Sequence, residues 1–311
     1  MESMKKHHVK DALNERDGFH VWWRLLRPHT LTASFIPVFV GTMIAYNDGA
    51  LHITIFLAML LAAILIQAAT NMFNEYYDYV RGLDNEQSVG IGGTIVRDNI
   101  APKTVLNLAL IFFGIAFLLG LYICYMSSWW VALIGAVSML IGYLYTGGPI
   151  PIAYTPFGEL FSGFLMGTVL IGISYFVQTL TLTTDVLLIS IPIAIFIASI
   201  LLANNIRDLD NDKENGRKTI AIILGRKNAV RFQALLFILA YGLTSIYIIA
   251  GVLPVWSLIT LISGIMAIDV IKKYKGKTQP LEIMPAMAAT GKTNTIYGFL
   301  LGLSLLISHF F

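Results

Sequence analysis

Two segments hold the residues whose types and spacing could do chemistry. They read Asn74-Glu75-Tyr76-Tyr77-Asp78-Tyr79-Val80-Arg81-Gly82-Leu83-Asp84 and Asn204-Asn205-Ile206-Arg207-Asp208-Leu209-Asp210-Asn211-Asp212, and each begins where a hydrophobic stretch runs out. A carboxylate at the centre of a spanning helix costs roughly 2.5 to 3.5 kcal/mol, so charged clusters kept at membrane boundaries point to use. On a helix, Asn204, Asp208 and Asp212 stand at i, i+4 and i+8, which advances about 40° per step and lines one face over roughly 12 Å. Asn74 and Asp78 share the i, i+4 relation, whereas Asp84 lies beyond Gly82 and must curl back from a helix end or loop. Oxygen donors of this kind suit Mg²⁺, which keeps several waters and binds one or two carboxylates together with substrate phosphates. The expectation is a diphosphate held between two Mg²⁺-loaded clusters. A single Asp at a helix end is an ordinary interfacial group. Two clusters that each open on Asn and carry an Arg (Arg81, Arg207), with starts at positions 74 and 204, argue against that reading.

The elements that must position these residues are membrane helices. The 311-residue chain is 57% hydrophobic and 13% charged, with mean hydropathy +0.74, whereas a soluble domain carries about 25% charged residues. Hydrophobic stretches of near-spanning length recur at Thr30 to Tyr46, Ile53 to Phe73, Val105 to Met126, Trp129 to Tyr145, Phe157 to Leu180, Val186 to Ala203, Ala229 to Val252, Val255 to Ile271 and Thr295 to Phe311. They predict an all-α membrane protein of about nine transmembrane helices, since unbroken runs of this length exclude a β-barrel. Residues 1–28 are expected to form a cytoplasmic or interfacial segment, with Trp22 and Trp23 at headgroup level and no secretory h-region, and residues 29–311 the transmembrane domain. If the N-terminus is cytoplasmic, all 21 Lys and Arg fall in segments on the cytoplasmic side. Both Asp clusters then lie on that side, at the C-terminal ends of the second and sixth helices, where the helix dipole also favours a cation. The net charge of +3 is thus a topology signal, and no nucleic-acid partner is expected. The 130-residue offset between the clusters hints at two parallel four-helix halves plus a final helix.

Other motifs are weaker. The stretch Tyr145-Thr146-Gly147-Gly148-Pro149 leads to Tyr154 and Gly158-Glu159 and offers close backbone approach or simply a stiff loop; Ser88 to Thr94 offers Gly-rich backbone N–H groups for phosphate. No P-loop, zinc spacing or Ser/His/Asp set is present, the six histidines are scattered, and Cys124 alone allows no intramolecular disulfide.

The paired Asp motifs at the ends of the second and sixth helices, with Arg27-Pro28-His29-Thr30 entering the first, resemble the UbiA superfamily of intramembrane aromatic prenyltransferases from about Arg27 to the C-terminus. Asn71-Met72-Phe73-Asn74-Glu75-Tyr76-Tyr77-Asp78, Tyr145-Thr146-Gly147-Gly148-Pro149 and Asn204-Asn205-Ile206-Arg207-Asp208 look most like its MenA branch, the 1,4-dihydroxy-2-naphthoate polyprenyltransferases. The loop after the fourth helix lacks the Lys-Arg pair usual in the 4-hydroxybenzoate branch, and Glu75 stands where many relatives carry Asp. The resemblance implies a UbiA-like bundle in the cell membrane with a site open to the cytoplasm. It implies that Asp78, Asp84, Asp208 and Asp212 bind two Mg²⁺ ions, assisted by Asn74 and Asn204. Arg81, Arg207 or Lys218 would neutralise the leaving diphosphate, and Asn71, Tyr145 and Tyr154 would line the substrates, a polyprenyl diphosphate and an aromatic acceptor that loses CO₂. The rival readings are another acceptor, such as 4-hydroxybenzoate, and a cation- or proton-coupled transporter, which would place acids near the bilayer midplane.

Overall fold

A computed structural model describes residues 18–82, 93–145, 147, 149 and 151–311. Helix α1 (Phe19–Leu26) leads into α2 (Pro28–Asn47), and the corner between them is set by Arg27, whose φ of 52° and following Pro28 end one helix and start the next. Then come α3 (Ile53–Val80), α4 (Pro102–Met126), α5 (Trp130–Leu144), α6 (Gly158–Thr179), α7 (Thr184–Arg207), α8 (Leu209–Glu214), α9 (Arg226–Ile249), α10 (Val255–Tyr274) and α11 (Pro280–Ser308). No β-strand occurs among the described residues.

Seven of these, α2, α3, α4, α6, α7, α9 and α10, are long and apolar enough to cross a membrane. The other two hydrophobic stretches correspond to α5, only 15 residues long, and to α11. Helix α11 begins 15 residues before its apolar run, because Gln279 and Glu282 form a reciprocal capping box and Pro280 occupies the first turn. Likewise α3 continues past Phe73 to Val80, since hydropathy marks where hydrocarbon ends and not where backbone hydrogen bonding ends.

Helices α2, α7 and α11 form the interior, with α2 packed on α6 and α11, and α7 on α9. Ile36, Ile193, Phe196, Ile206, Tyr297 and Leu301 in this core are essentially inaccessible. Helices α4 and α5 lie at the periphery and turn Leu110, Ile111, Leu118, Leu133 and Leu140 outward, a distribution suited to contact with lipid. Between α6 and α7 the backbones touch. A Cβ at Gly163 would stand 2.6 Å from the Ala194 carbonyl oxygen, and the helix is wound one residue wide of α from Gly163 to Val169.

Candidate active site

The Asp-bearing ends of α3 and α7 come together, and what joins them is Arg217. Helix α7 stops at Arg207, yet Asp208 N–H still bonds Asn204 O (3.0 Å) and Asp212 N–H bonds Asp208 O (2.8 Å). The i, i+4, i+8 stacking of Asn204, Asp208 and Asp212 therefore survives a break in the helix. Helix α8 then closes with Gly216 at φ 76°: Gly216 N–H returns to Lys213 O (3.2 Å) and Arg217 N–H to Asp212 O (3.0 Å). This left-handed ending, which glycine adopts without a Cβ clash, folds Arg217 back over the carboxylate of Asp212. Its guanidinium reaches Asp212 Oδ1 at 3.1 Å and Asp78 Oδ1 at 2.9 Å, with the Tyr154 ring centroid 5.1 Å away.

All three charged groups are largely withdrawn from solvent, with side-chain exposures of 14% for Arg217, 5% for Asp212 and 19% for Asp78. Burial lifts the Asp212 carboxyl to about 7 against the pull of Arg217, and the charges of Asp208 and Asp78 add to the rise. Burial by itself would lower Arg217, but Asp78 and Asp212 hold it above its ordinary value. Asp212 Oδ2 is buried with no hydrogen-bond partner.

The remaining residues divide by what they touch. Arg207 is buried, grips its own neighbour Asp208 through two bonds (2.7 and 2.5 Å) and rests on the Met287 sulfur at 2.9 Å. Arg81 lies over the rings of Tyr77 and Tyr154 at 5.5 and 5.7 Å. Lys218 is exposed and gives only its backbone N–H, to Tyr154 O at 2.9 Å. Asn71 ties the α1–α2 corner to α3 by donating to Leu26 O and Thr30 Oγ1 at 2.9 and 2.8 Å. Glu75 Oε1 accepts from Thr94 N–H (2.5 Å), Thr94 Oγ1–H (2.6 Å) and Ile95 N–H (3.1 Å), so it secures the short turn Thr94–Arg97. The Thr94 amide, considered for phosphate in the sequence, is thereby engaged by Glu75. Asp84 and residues 83–92 of the Gly-rich loop lie outside the described residues.

Beside this cluster a cavity of about 350 Å³ opens between α2, α3, α4, α5, α6 and α7. Arg27, Thr30, Asn71, Asn74, Tyr145 and Asn204 line its polar part, and Met59, Ala62, Leu121, Cys124, Met166 and Ile173 belong to its apolar part. Asn74 and Met59 are 15 residues apart on α3, so the cavity runs about 22 Å along that helix. Cys124 is thus part of the apolar wall. Arg27 and Glu159, which the sequence motifs include without a site role, each take a place near these groups. Arg27 lines the polar part 3.9 Å from Glu75 Oε2, and Glu159 accepts a 2.9 Å bond from Asn205. Arg27 was legible in the Arg-Pro entry to α2, and Arg217 in its place just beyond Gly216; nothing linear tied either to Asp78.

Among the described residues no three His, Cys, Asp or Glu side chains converge in metal-holding geometry. The donor chemistry nonetheless fits a hard divalent ion. It is all oxygen, from facing carboxylates, with a buried Asp212 oxygen unsatisfied and an arginine supplying the positive charge between them.

Residues 34–305 match the UbiA prenyltransferase family. The chain is 53% identical over the full length of both proteins to the 1,4-dihydroxy-2-naphthoate octaprenyltransferase of Bacillus subtilis (strain 168). It is 31% identical to the UbiA prenyltransferase domain-containing protein 1 of Xenopus tropicalis, over 74% of this chain and 68% of that one. A UbiA homolog from Archaeoglobus fulgidus, solved bound to GPP and Mg²⁺, shares the fold with a TM-score of 0.66 at 16% identity, covering 92% of this chain and 99% of that one. The apo UbiA homolog from Aeropyrum pernix K1 does so at 0.68 and 15%, covering 90% and 98%. With its Asn/Asp segments meeting at one end of an apolar cavity and this match along nearly its whole length, the chain belongs to the UbiA prenyltransferase family.

Proposed function

We propose that this protein transfers a polyprenyl group from a polyprenyl diphosphate to 1,4-dihydroxy-2-naphthoate with loss of CO₂, yielding demethylmenaquinol. The observation that carries the reading is the joining of the α3 and α7 carboxylate segments beside a long apolar cavity, and the 53% identical relative supports the choice of acceptor. The diphosphate belongs at the charged end and the isoprenoid in the apolar part.

Asp78, Asp84, Asp208 and Asp212, with Asn74 and Asn204, would hold Mg²⁺, two ions by the symmetry of the segments. Bound there, Mg²⁺ supplies the positive charge that draws electrons from the diphosphate as the C1–O bond weakens. The protein's own contribution is positional and electrostatic. Arg217 and Arg81 flank Tyr154 and offer guanidinium charge to the leaving diphosphate, while Arg207 keeps the Asp208 carboxylate in one orientation. The apolar walls keep water from the allylic cation until the ring reaches it. The Tyr145 ring borders the polar part of the cavity, where an aromatic face stabilises nearby positive charge. The ring carbon bearing the carboxylate then bonds to C1, and departure of CO₂ returns its electron pair to the ring. Arg27 is placed to pair with the acceptor's carboxylate or with the diphosphate.

The site faces the cytoplasm in the cell membrane on this reading, supported by the segregation of the 21 basic residues. The test is a competition assay of purified protein with Mg²⁺, one polyprenyl diphosphate, both candidate acceptors and ¹⁴C in the carboxylates. Labelled CO₂ with prenylated naphthol is expected. Prenylated 4-hydroxybenzoate that keeps its label would refute the acceptor assignment.

A further inference from the structure

Glu159 is a buried carboxylate to which the mechanism above gives no task. It is 3% exposed, its Oε1 is held by Asn205, and its Oε2 is buried without a hydrogen-bond partner. A carboxylate in the first turn favours the helix dipole, but an exposed one would serve that purpose without the cost of burying an unsatisfied oxygen. An acceptor atom left open in this way has the capacity to take a proton.

The route to the ligand runs through Tyr145. A Cβ placed on Gly158, the residue before Glu159, would stand 3.4 Å from Tyr145 Oη, and among charged groups Glu159 acts most strongly on that tyrosine. Tyr145 lines the cavity with Asn74 and Asn204, and Asn205, which fixes Glu159, directly follows Asn204. The other charges acting on Tyr145 are Arg217, Asp212 and Asp78, and Arg217 bridges the latter two. Among the described residues Glu159 is thus the carboxylate acting on the tyrosine that has no ion pair with a cation.

We propose that Tyr145 and Glu159 form a proton relay serving the acceptor's ring hydroxyl, an assignment that rests on the function proposed above. The hydroxyl donates its proton to Tyr145 Oη as Tyr145 passes its own to Glu159 Oε2. The electron density left on the ring forms the new bond from the carboxylate-bearing carbon to C1, and the C1–O pair leaves with the diphosphate. When the bond to CO₂ breaks, its electron pair restores the aromatic ring with a negatively charged oxygen. That oxygen takes the proton back through Tyr145. The proton is borrowed and returned, so a buried base suffices.

The test uses the full-length protein with Mg²⁺, a polyprenyl diphosphate and dihydroxynaphthoates of graded hydroxyl acidity, including ring-halogenated ones. Glu159→Gln preserves volume and an acceptor for Asn205. Its kcat on the parent acceptor is expected to fall about 10²- to 10³-fold, the range of a general base, while the acceptor KM moves by only a few-fold. The more acidic acceptors should recover most of that rate in the variant and change the unaltered enzyme little. Tyr145→Phe should fall comparably, and the double variant should fall no further than the worse single. Full rate in Glu159→Gln, or a loss that is the same for every acceptor, overturns the relay. If Glu159→Gln does not fold by thermal melting, Tyr145→Phe with the same acceptor series decides. An unaltered enzyme that prenylates no dihydroxynaphthoate overturns the function itself, an outcome separate from an active enzyme indifferent to Glu159.

Discussion

Replacing Arg217 by Leu should destabilise the metal-free protein, and by more at alkaline than at acid pH. The guanidinium bridges Asp78 at 2.9 Å and Asp212 at 3.1 Å in a largely buried setting. Removing one member of a buried ion pair and leaving the other charged costs about 3 to 5 kcal/mol, far more than a surface bridge of 0 to 1. Leucine fills part of the volume, so the loss is chiefly electrostatic. The sign with pH follows from Asp212, whose carboxyl titrates at about 7 in the folded protein, well above its unfolded value of about 3.9. A raised carboxyl pKa means the folded state binds the proton more tightly. Stability therefore falls as pH rises from about 4 to 7 and levels off above 7, by on the order of 4 kcal/mol for the three units. Without Arg217 the Asp212 pKa rises further, so the fall extends above pH 7. Thermal unfolding in detergent with EDTA should show Arg217→Leu close to the parent at pH 5.5 and lower by many degrees at pH 8.5. Mg²⁺ should restore part of the loss, and an Asp212→Asn background should shrink it. An equal shift at both pH values would show that Arg217 acts through packing and not through charge.

Three further outcomes are expected. Asp78→Asn and Asp208→Asn should each lower turnover by at least about 100-fold, since each removes a charged donor; Asp78→Asn should melt near the parent because Arg217 keeps Asp212, whereas Asp208→Asn, which takes the carboxylate from the buried Arg207, should melt lower; full activity in EDTA would refute the metal role. Apparent Mg²⁺ affinity, measured by isothermal titration, should tighten about tenfold per pH unit up to pH 7 and flatten above it, because the ion displaces the proton of Asp212; a flat profile would remove Asp212 from the ligand set. With Cys124→Ala as background, an impermeant thiol reagent outside intact cells should label Asp48→Cys and spare Lys213→Cys, and the reverse pattern would invert the topology.

What the sequence determined by itself is what one dimension can hold. Hydrocarbon stretches report the transfer of side chains into lipid residue by residue, so the helical class and the approximate position of the long apolar helices were readable without contacts. The i, i+4 spacing of Asn74 with Asp78, and of Asn204, Asp208 and Asp212, was readable for the same reason, since helical period is local. Helix ends were less so: α3 runs on to Val80 and α11 starts at Pro280, because backbone hydrogen bonds and caps set them and hydropathy does not. Only the tertiary structure decided which arginine joins the two carboxylate segments. Arg207 and Arg81 stood beside the Asp residues in sequence, yet Arg217 spans 139 positions to reach Asp78, a contact that exists only in the folded chain. The unsatisfied oxygen of Glu159 and the cavity walls shared by six helices were invisible for the same physical reason. Burial and partnership are properties of a volume, and the volume exists only once the helices pack.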